Sequence, residues 1–276
     1  MLMNSFRTHS ITERIVGLSM GATKVISFCQ NWYPRLLDDD SGFLNPLKFN
    51  LDAWYPPGHG DLYSCLLDKG YIDDLLKEGR EYLFISNSDN LGATVDLKVL
   101  NFIINNEIPF LMEVASKTEV DTKGGVLCQN KKQIKLLEIA DVPPEHIPEF
   151  CGTDKFNFFN TNNIWINLVQ IKKLLEKGTL NLDLIVNRKQ IKNLNILQLE
   201  TAVGSAFNSI PGAVGMNVPR SRFLPVKKTS DLLLVQSDLY KLARGTLKRD
   251  LAAKVTSLPK VQLRDPFDDL KEYQKR

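Results

Sequence analysis

The 276-residue chain lacks most of the features that assign a function class at first sight. No apolar run approaches the roughly 20 residues that a membrane-spanning helix requires. The opening MLMNSFRTHSITERI has no basic stretch followed by a long apolar one, so it does not read as a signal peptide. Charge of one sign is scarce: 35 Lys and Arg against 32 Asp and Glu leave +3, which gives no case for nucleic acid or an anionic membrane as partner. The four cysteines (Cys29, Cys65, Cys128, Cys151) form no C-x-x-C pair and have no histidine cluster nearby. That argues against a zinc site or disulfide framework and for reduced thiols in a soluble, cytosolic protein. G-x-x-x-x-G-K-[ST], G-x-G-x-x-G and G-x-S-x-G are all missing, so P-loop, Rossmann dehydrogenase and α/β-hydrolase readings lack their motifs.

What is present is a pattern of strands handing over to helices through polar loops. Residues 1–3 read as a strand, 12–16 as a short helix, and 24–28 as a strand ending at Cys29–Gln30. Four prolines mark 31–57 as an irregular excursion. Asp61 is placed to cap a helix, which the Lys69–Gly70 step interrupts. The strand 81–85 runs into SNSDN, and a helix over 93–105 follows with Val95, Leu97, Leu100 and Ile103–Ile104 inward. A strand at 110–114 completes two β–loop–α units, the signature of an α/β sheet whose ligands bind beyond the carboxyl ends of strands. Further on, a hairpin turns at 130–132, and helices are expected at 142–145, 169–175 and 199–207. A strand is expected at 182–186, with a peripheral tail from Gly245.

Four polar stretches are candidate sites, each with an ordinary alternative. Asp89 in Ser86-Asn-Ser-Asp-Asn90 could hold a hard cation such as Mg²⁺, or simply make an Asx turn. In WYPPGHGD (54–61), Gly58 and Gly60 allow backbone N–H groups close to an anion and His59 can donate to a phosphate, or the segment is a stiff surface turn. Asn160-Thr-Asn-Asn163 offers paired amides to sugar hydroxyls, or is an asparagine-rich turn before a strand at 164–166. Arg220, Arg222 and Lys227 would suit a polyphosphate, or are a solvated basic loop.

Together these stretches resemble the eukaryotic-type UTP–glucose-1-phosphate uridylyltransferases, also called UDP-glucose pyrophosphorylases. The resemblance is carried, in the family's order, by MNSF (3–6), WYPPGHGD (54–61), SNSDNLGATVD (86–96) and FNTNNIWINL (159–168). It continues through LQLETAVG (197–204) and NVPRSRFLPVKKTSDLLLVQSDLY (217–240). It implies a nucleotidyltransferase fold, Rossmann-like and GT-A-like, with a mixed central sheet flanked by helices. It also implies Mg²⁺-dependent transfer of a uridylyl group from UTP to glucose-1-phosphate.

By matched motif, Asp89 is expected to bind Mg²⁺, with Asn87 and Ser88 lining the substrate site. Gly58 and Gln30 are expected to contact UTP, His59 the glucose-1-phosphate and Asn162 the glucose. Lys227 is expected to be catalytic, and Lys123 in DTKGG to add positive potential. Family members also carry a glycine-rich loop, L-N-G-G-x-G-T-x-M-G, upstream of MNSF and a C-terminal β-helix used in oligomerisation. The chain therefore reads as a partial catalytic domain, truncated at its N-terminus, over 1–245, with 246–276 a tail toward the β-helix. Homo-oligomerisation is left open, and the alternative is a module that binds sugar phosphate or UDP-glucose without turnover.

Overall fold

A computed structural model describes residues 1–18, 21, 23–39, 41–118, 121, 124–130, 133–250 and 259–275. Lys123 and the tip of the hairpin expected at 130–132 lie outside them. At the start, β1 (Leu2–Asn4) pairs in parallel with β2 (Ser27–Cys29), and α1 (His9–Leu18) joins them. The proline-rich excursion holds short pieces: β3 (Tyr33–Pro34), β4 (Leu36–Leu37), α2 (Pro46–Phe49) and β5 (Trp54–Tyr55). Helices α3 (Leu62–Asp68) and α4 (Tyr71–Lys77) are separated by Gly70, whose φ of 72° no other residue type adopts as cheaply.

The central sheet is built from β6 (Tyr82–Ile85), β7 (Phe110–Ser116), the hairpin β8 (Val126–Asn130) and β9 (Gln133–Leu137), β10 (Phe158–Asn167) and β13 (Val214–Asn217). It is mixed: β13 runs parallel to β7, whereas β10 is antiparallel to β6, β7 and β8. Six of the seven residues of β7 are buried, as expected for a strand covered on both faces. Period-two alternation sends Phe110, Met112 and Val114 into one core with α3, α4 and α7 (Leu168–Glu176). Leu111 faces the other way, with Trp165, against Val99 and Ile103 of α5 (Leu97–Asn105).

Two expectations need correcting. Helix α5 begins at Leu97, capped by Asp96, whose side chain accepts from the Lys98 N–H (2.8 Å); Val95, Leu97 and Ile104 are exposed. Val99 and Ile103, at i and i+4, are buried in the core, and Leu100 packs against it partly buried, as expected. The helix expected at 199–207 is instead the end of β12 (Leu194–Thr201) followed by a 3₁₀ turn over Val203–Ser209. Strand β12 pairs with β11 (Leu184–Ile191) through Lys192 and Asn193, both at positive φ as in a tight hairpin turn.

Beyond the sheet lie α6 (Ile147–Cys151), α8 (Thr229–Gln236), the hairpin β14 (Tyr240–Ala243) and β15 (Thr246–Arg249), and α9 (Leu270–Gln274). Tyr273 of α9 donates to Gln236 of α8 (2.9 Å). Among the described residues no helix is long and apolar enough to cross a membrane.

Candidate functional site

The carboxyl ends of β6, β7 and β13 point the same way, and the first half of β10 crosses them. Strands β6 and β8 share one edge of β10, pairing at Ile164–Asn167 and at Phe159 respectively, with the asparagine segment between them. That segment is a bulge inside a strand, because the register against β7 slips between Asn160 and Asn163 and Asn162 takes φ 57°. The separate asparagine-rich turn is therefore not formed. Bulges of this kind re-aim side chains, and here they aim two asparagines toward different loops.

Asn163 serves the loop after β6. Its amide donates to Glu113 Oε2 (3.0 Å), and its oxygen accepts from Asn90 (3.0 Å). Asn90 also donates to the Arg222 carbonyl and accepts from the Gly92 and Leu224 N–H groups. Leu91 N–H donates to the Leu224 carbonyl (3.0 Å), and Val226 N–H donates to the Asp89 carbonyl (2.9 Å). The two loops are thus laced together, with Lys227 one residue beyond the bond that reaches Asp89. Gly92 permits this approach, since a methyl group there would come within 2.6 Å of the Ser221 carbonyl oxygen.

The arginines of the basic loop are not free for a ligand. Arg222 donates to both oxygens of fully buried Glu113 (2.7 and 2.6 Å), which also accepts from Trp165 Nε1 (2.9 Å). Arg220 grips Asp121 with two bonds (2.5 and 2.8 Å) and lies over Phe159. Both alternatives, polyphosphate clamp and solvated loop, give way to a structural one for this pair: a guanidinium fork matches a carboxylate edge to edge. Lys227 is exposed, and none of the ion pairs among the described residues includes it. Glu113 was missed, although one carboxylate inside the apolar run FLMEVA is a signal that a buried partner exists.

Asn160 serves the second loop. Its amide donates to Asn162 (2.8 Å) and packs where a methyl on Gly204 would sit, 2.8 Å away. Next to Gly204, the Val203 N–H donates to His59 Nδ1 (2.9 Å), and the Val203 carbonyl accepts from Tyr63 (2.8 Å). The His59 bond leaves Nε2 as the proton-bearing nitrogen. Crowding of the ring lowers its pKa, opposed by the nearby Glu200 charge, although the residue as a whole is exposed. Gly58, at φ 88°, and Gly60 lie hard against β12: methyls there would meet the Thr201 carbonyl oxygen at 2.5 Å and Thr201 Oγ1 at 2.4 Å. Close packing is therefore the first reason for these glycines.

Asp61 does not cap α3. Its oxygens accept from the Asn31 N–H (2.7 Å) and Asn31 Nδ2 (2.9 Å), tying Gln30's neighbour to the end of the turn. Cys65 donates to the same carboxylate, and burial pushes its thiol up to about 12, so it is no nucleophile.

Among the described residues, three buried side-chain oxygens have no hydrogen-bond partner: Gln30 Oε1, Asp89 Oδ1 and Gln198 Oε1. Two were singled out from sequence; Gln198, on β12, was not. Buried acceptors left unpaired are costly and uncommon, which sets these three atoms apart. Asp89 Oδ1 is a hard anionic oxygen of the kind Mg²⁺ takes. Among the described residues no three His, Cys, Asp or Glu side chains converge on a metal position, so ligand oxygens or water would complete the set. A cavity of about 520 Å³ opens beside Lys227, between Lys227–Ser230 and the segment around Val261–Arg264.

The family described as UTP–glucose-1-phosphate uridylyltransferase matches residues 1–276. The chain belongs to that family. A relative of that name from Musa acuminata is 48% identical over 279 residues, covering 100% of this chain and 60% of the relative. One from Solanum tuberosum is 48% identical over 277 residues, covering 99% and 58%. A crystal structure of UDP-glucose pyrophosphorylase from Leishmania major in complex with UDP-glucose superposes with a TM-score of 0.83 at 36% identity, over 91% of this chain and 57% of that one. This uridylyltransferase-family chain thus spans somewhat over half the length of the relatives it matches, and its mixed α/β sheet is the nucleotidyltransferase fold of those neighbours.

Proposed function

We propose that the chain carries the uridylyl-transfer site of its family, joining UTP and glucose-1-phosphate into UDP-glucose and pyrophosphate. The observation that supports this reading most strongly is the bond from Val226 N–H to the Asp89 carbonyl, which ties the loop that carries Lys227 to the loop that carries Asp89 and its buried, unpaired oxygen. In the reaction, a phosphate oxygen of glucose-1-phosphate attacks the α-phosphorus of UTP, and the bond from that phosphorus to the bridging oxygen of the β-phosphate breaks. Both reactants are already anionic, so no general base is required; positioning and charge compensation carry the rate.

In this reading Lys227 offsets negative charge on the transferring phosphoryl. The Nε2–H of His59 donates to the sugar phosphate, Asn162 holds the hexose, and Gly58 and Gln30 hold the nucleotide. Asn87 and Ser88 line the substrate beside Asp89. Asp89 would hold Mg²⁺, which when bound neutralises phosphate charge and polarises the reacting group. Residues 1–245 serve as the catalytic unit and 246–276 as a tail, in the cytoplasm.

Pyrophosphate release from UTP and glucose-1-phosphate in Mg²⁺ tests the reading. Lys227→Met should lower kcat by roughly 10²-fold or more with little change in sugar-phosphate affinity. Asp89→Asn should weaken the dependence on Mg²⁺. An absence of turnover by the unsubstituted chain at high concentration would overturn the proposal.

A further inference from the structure

We infer that Gln198 is a ligand-binding residue of this site, its side-chain oxygen accepting a hydrogen bond from an N–H or O–H of the bound nucleotide or sugar. The inference rests on the functional reading above and adds a residue to it. Gln198 is only 3% exposed, yet its Oε1 has no partner, and no hydrogen bond among the described residues uses its amide as donor. Asn187, directly opposite on β11, does not satisfy it.

The position in the fold says which ligand the amide would meet. Alternation along β12 puts Gln198 on the face that carries Glu200. Glu200 Cβ lies 3.1 Å from where a methyl on Gly58 would sit, and its charge acts on His59. Gln198 thus belongs to the strand against which the Gly58–His59–Gly60 turn is pressed. Its other face, with Leu199 and Thr201, lines a separate, mainly apolar cavity of about 430 Å³. The unpaired oxygen also shares its condition with only Gln30 and Asp89 among the described residues, both of them in the proposed site.

A free polar group held in a core for a ligand lowers stability in the absence of that ligand. This separates a binding role from a structural one. Calorimetric titration with UDP and with glucose-1-phosphate, each alone, is compared for the unsubstituted chain and for Gln198→Met, which keeps length and shape. Expected are a thermal midpoint unchanged or raised without ligand and an affinity roughly tenfold or more weaker for one of the two probes. The probe that loses affinity tells whether nucleotide or sugar is the donor. Gln198→Leu repeats the test if the first variant folds poorly. Equal affinities for both probes, or a lowered midpoint with affinity intact, as for an amide bonded to a buried water, would overturn the assignment while leaving the functional reading standing. Failure of the unsubstituted chain to bind either probe would overturn that reading, and the inference with it.

Discussion

Arg222→Met tests whether the buried ion pair is what fastens the two loops. Glu113 is fully buried and the Arg222 side chain 11% exposed, so the pair has little access to water. Removing the guanidinium takes away both charge-assisted bonds to Glu113, at 2.7 and 2.6 Å, and one to the Thr94 carbonyl at 2.8 Å, and leaves the carboxylate with Trp165 and Asn163 alone. Stranding a buried charge in this way costs about 3–5 kcal/mol, against less than about 1 kcal/mol for an exposed pair. For a domain of this size each kcal/mol moves the thermal midpoint by roughly 2–4 °C, so the drop should be roughly 6–20 °C. Glu113→Gln with Arg222→Met removes the stranded charge and keeps an oxygen for Trp165, and should recover part of the loss. Thermal melts followed by near-ultraviolet circular dichroism measure all three chains. A drop below about 2 °C for Arg222→Met, within the range of an exposed pair, would refute the reasoning.

Other outcomes follow from single contacts. Gly92→Ala drives a methyl against the backbone at Ser221–Phe223 and should cost about 1–3 kcal/mol in a urea melt, together with weaker nucleotide binding. Burial holds the Glu138 carboxyl up at about 7, helped by Asp141 and Asp183. Folding therefore favours its protonated form, and stability is lost as pH rises from its unfolded value through 7. Glu138→Gln should then raise the midpoint at pH 8 and leave it nearly unchanged near pH 4.5; equal effects at both would count against the burial argument. For His59 the shift is downward, so stability is intact above its unfolded pKa and lost as pH falls below it. His59→Asn should lose less of its midpoint between pH 7.5 and 5.5 than the unsubstituted chain does.

The sequence was most legible where one strong period ruled. The strands at 82–85 and 110–116 and the break at Gly70 came directly from apolar runs and a glycine. The end of β12 was misread because LQLETAVG fits a helical spacing as well as alternation. Only pairing with β11, across a turn without glycine, decides between them. The Asp61 carboxylate was read as a local cap, but Asn31, thirty positions earlier in the chain, takes it. Arg220 and Arg222 looked available for phosphate because their carboxylates, Asp121 and Glu113, lie about a hundred residues away in sequence. The polar candidates of the site were visible by residue type. Their linkage was not, because it runs through long-range bonds to β10 and β12.

The bulge in β10 has a consequence for how this site can change. Asn160 and Asn163 sit three positions apart on one strand, yet they meet different loops: Asn160 packs against Gly204, next to the Val203–His59 bond, and Asn163 bonds Asn90, next to Asp89. Thr161 and Asn162 are the two residues of β10 between the pairs Asn160–Val114 and Asn163–Glu113, so deleting one of them would slip the strand by one residue, which turns every later side chain to the opposite face of the sheet. Asn163 would leave Glu113, and Trp165 would exchange its carboxylate for the far core. Length changes that surface loops of this chain can absorb are therefore closed to these four residues. The loops that carry His59 and Asp89 share a single joint, and drift in one is constrained by the other.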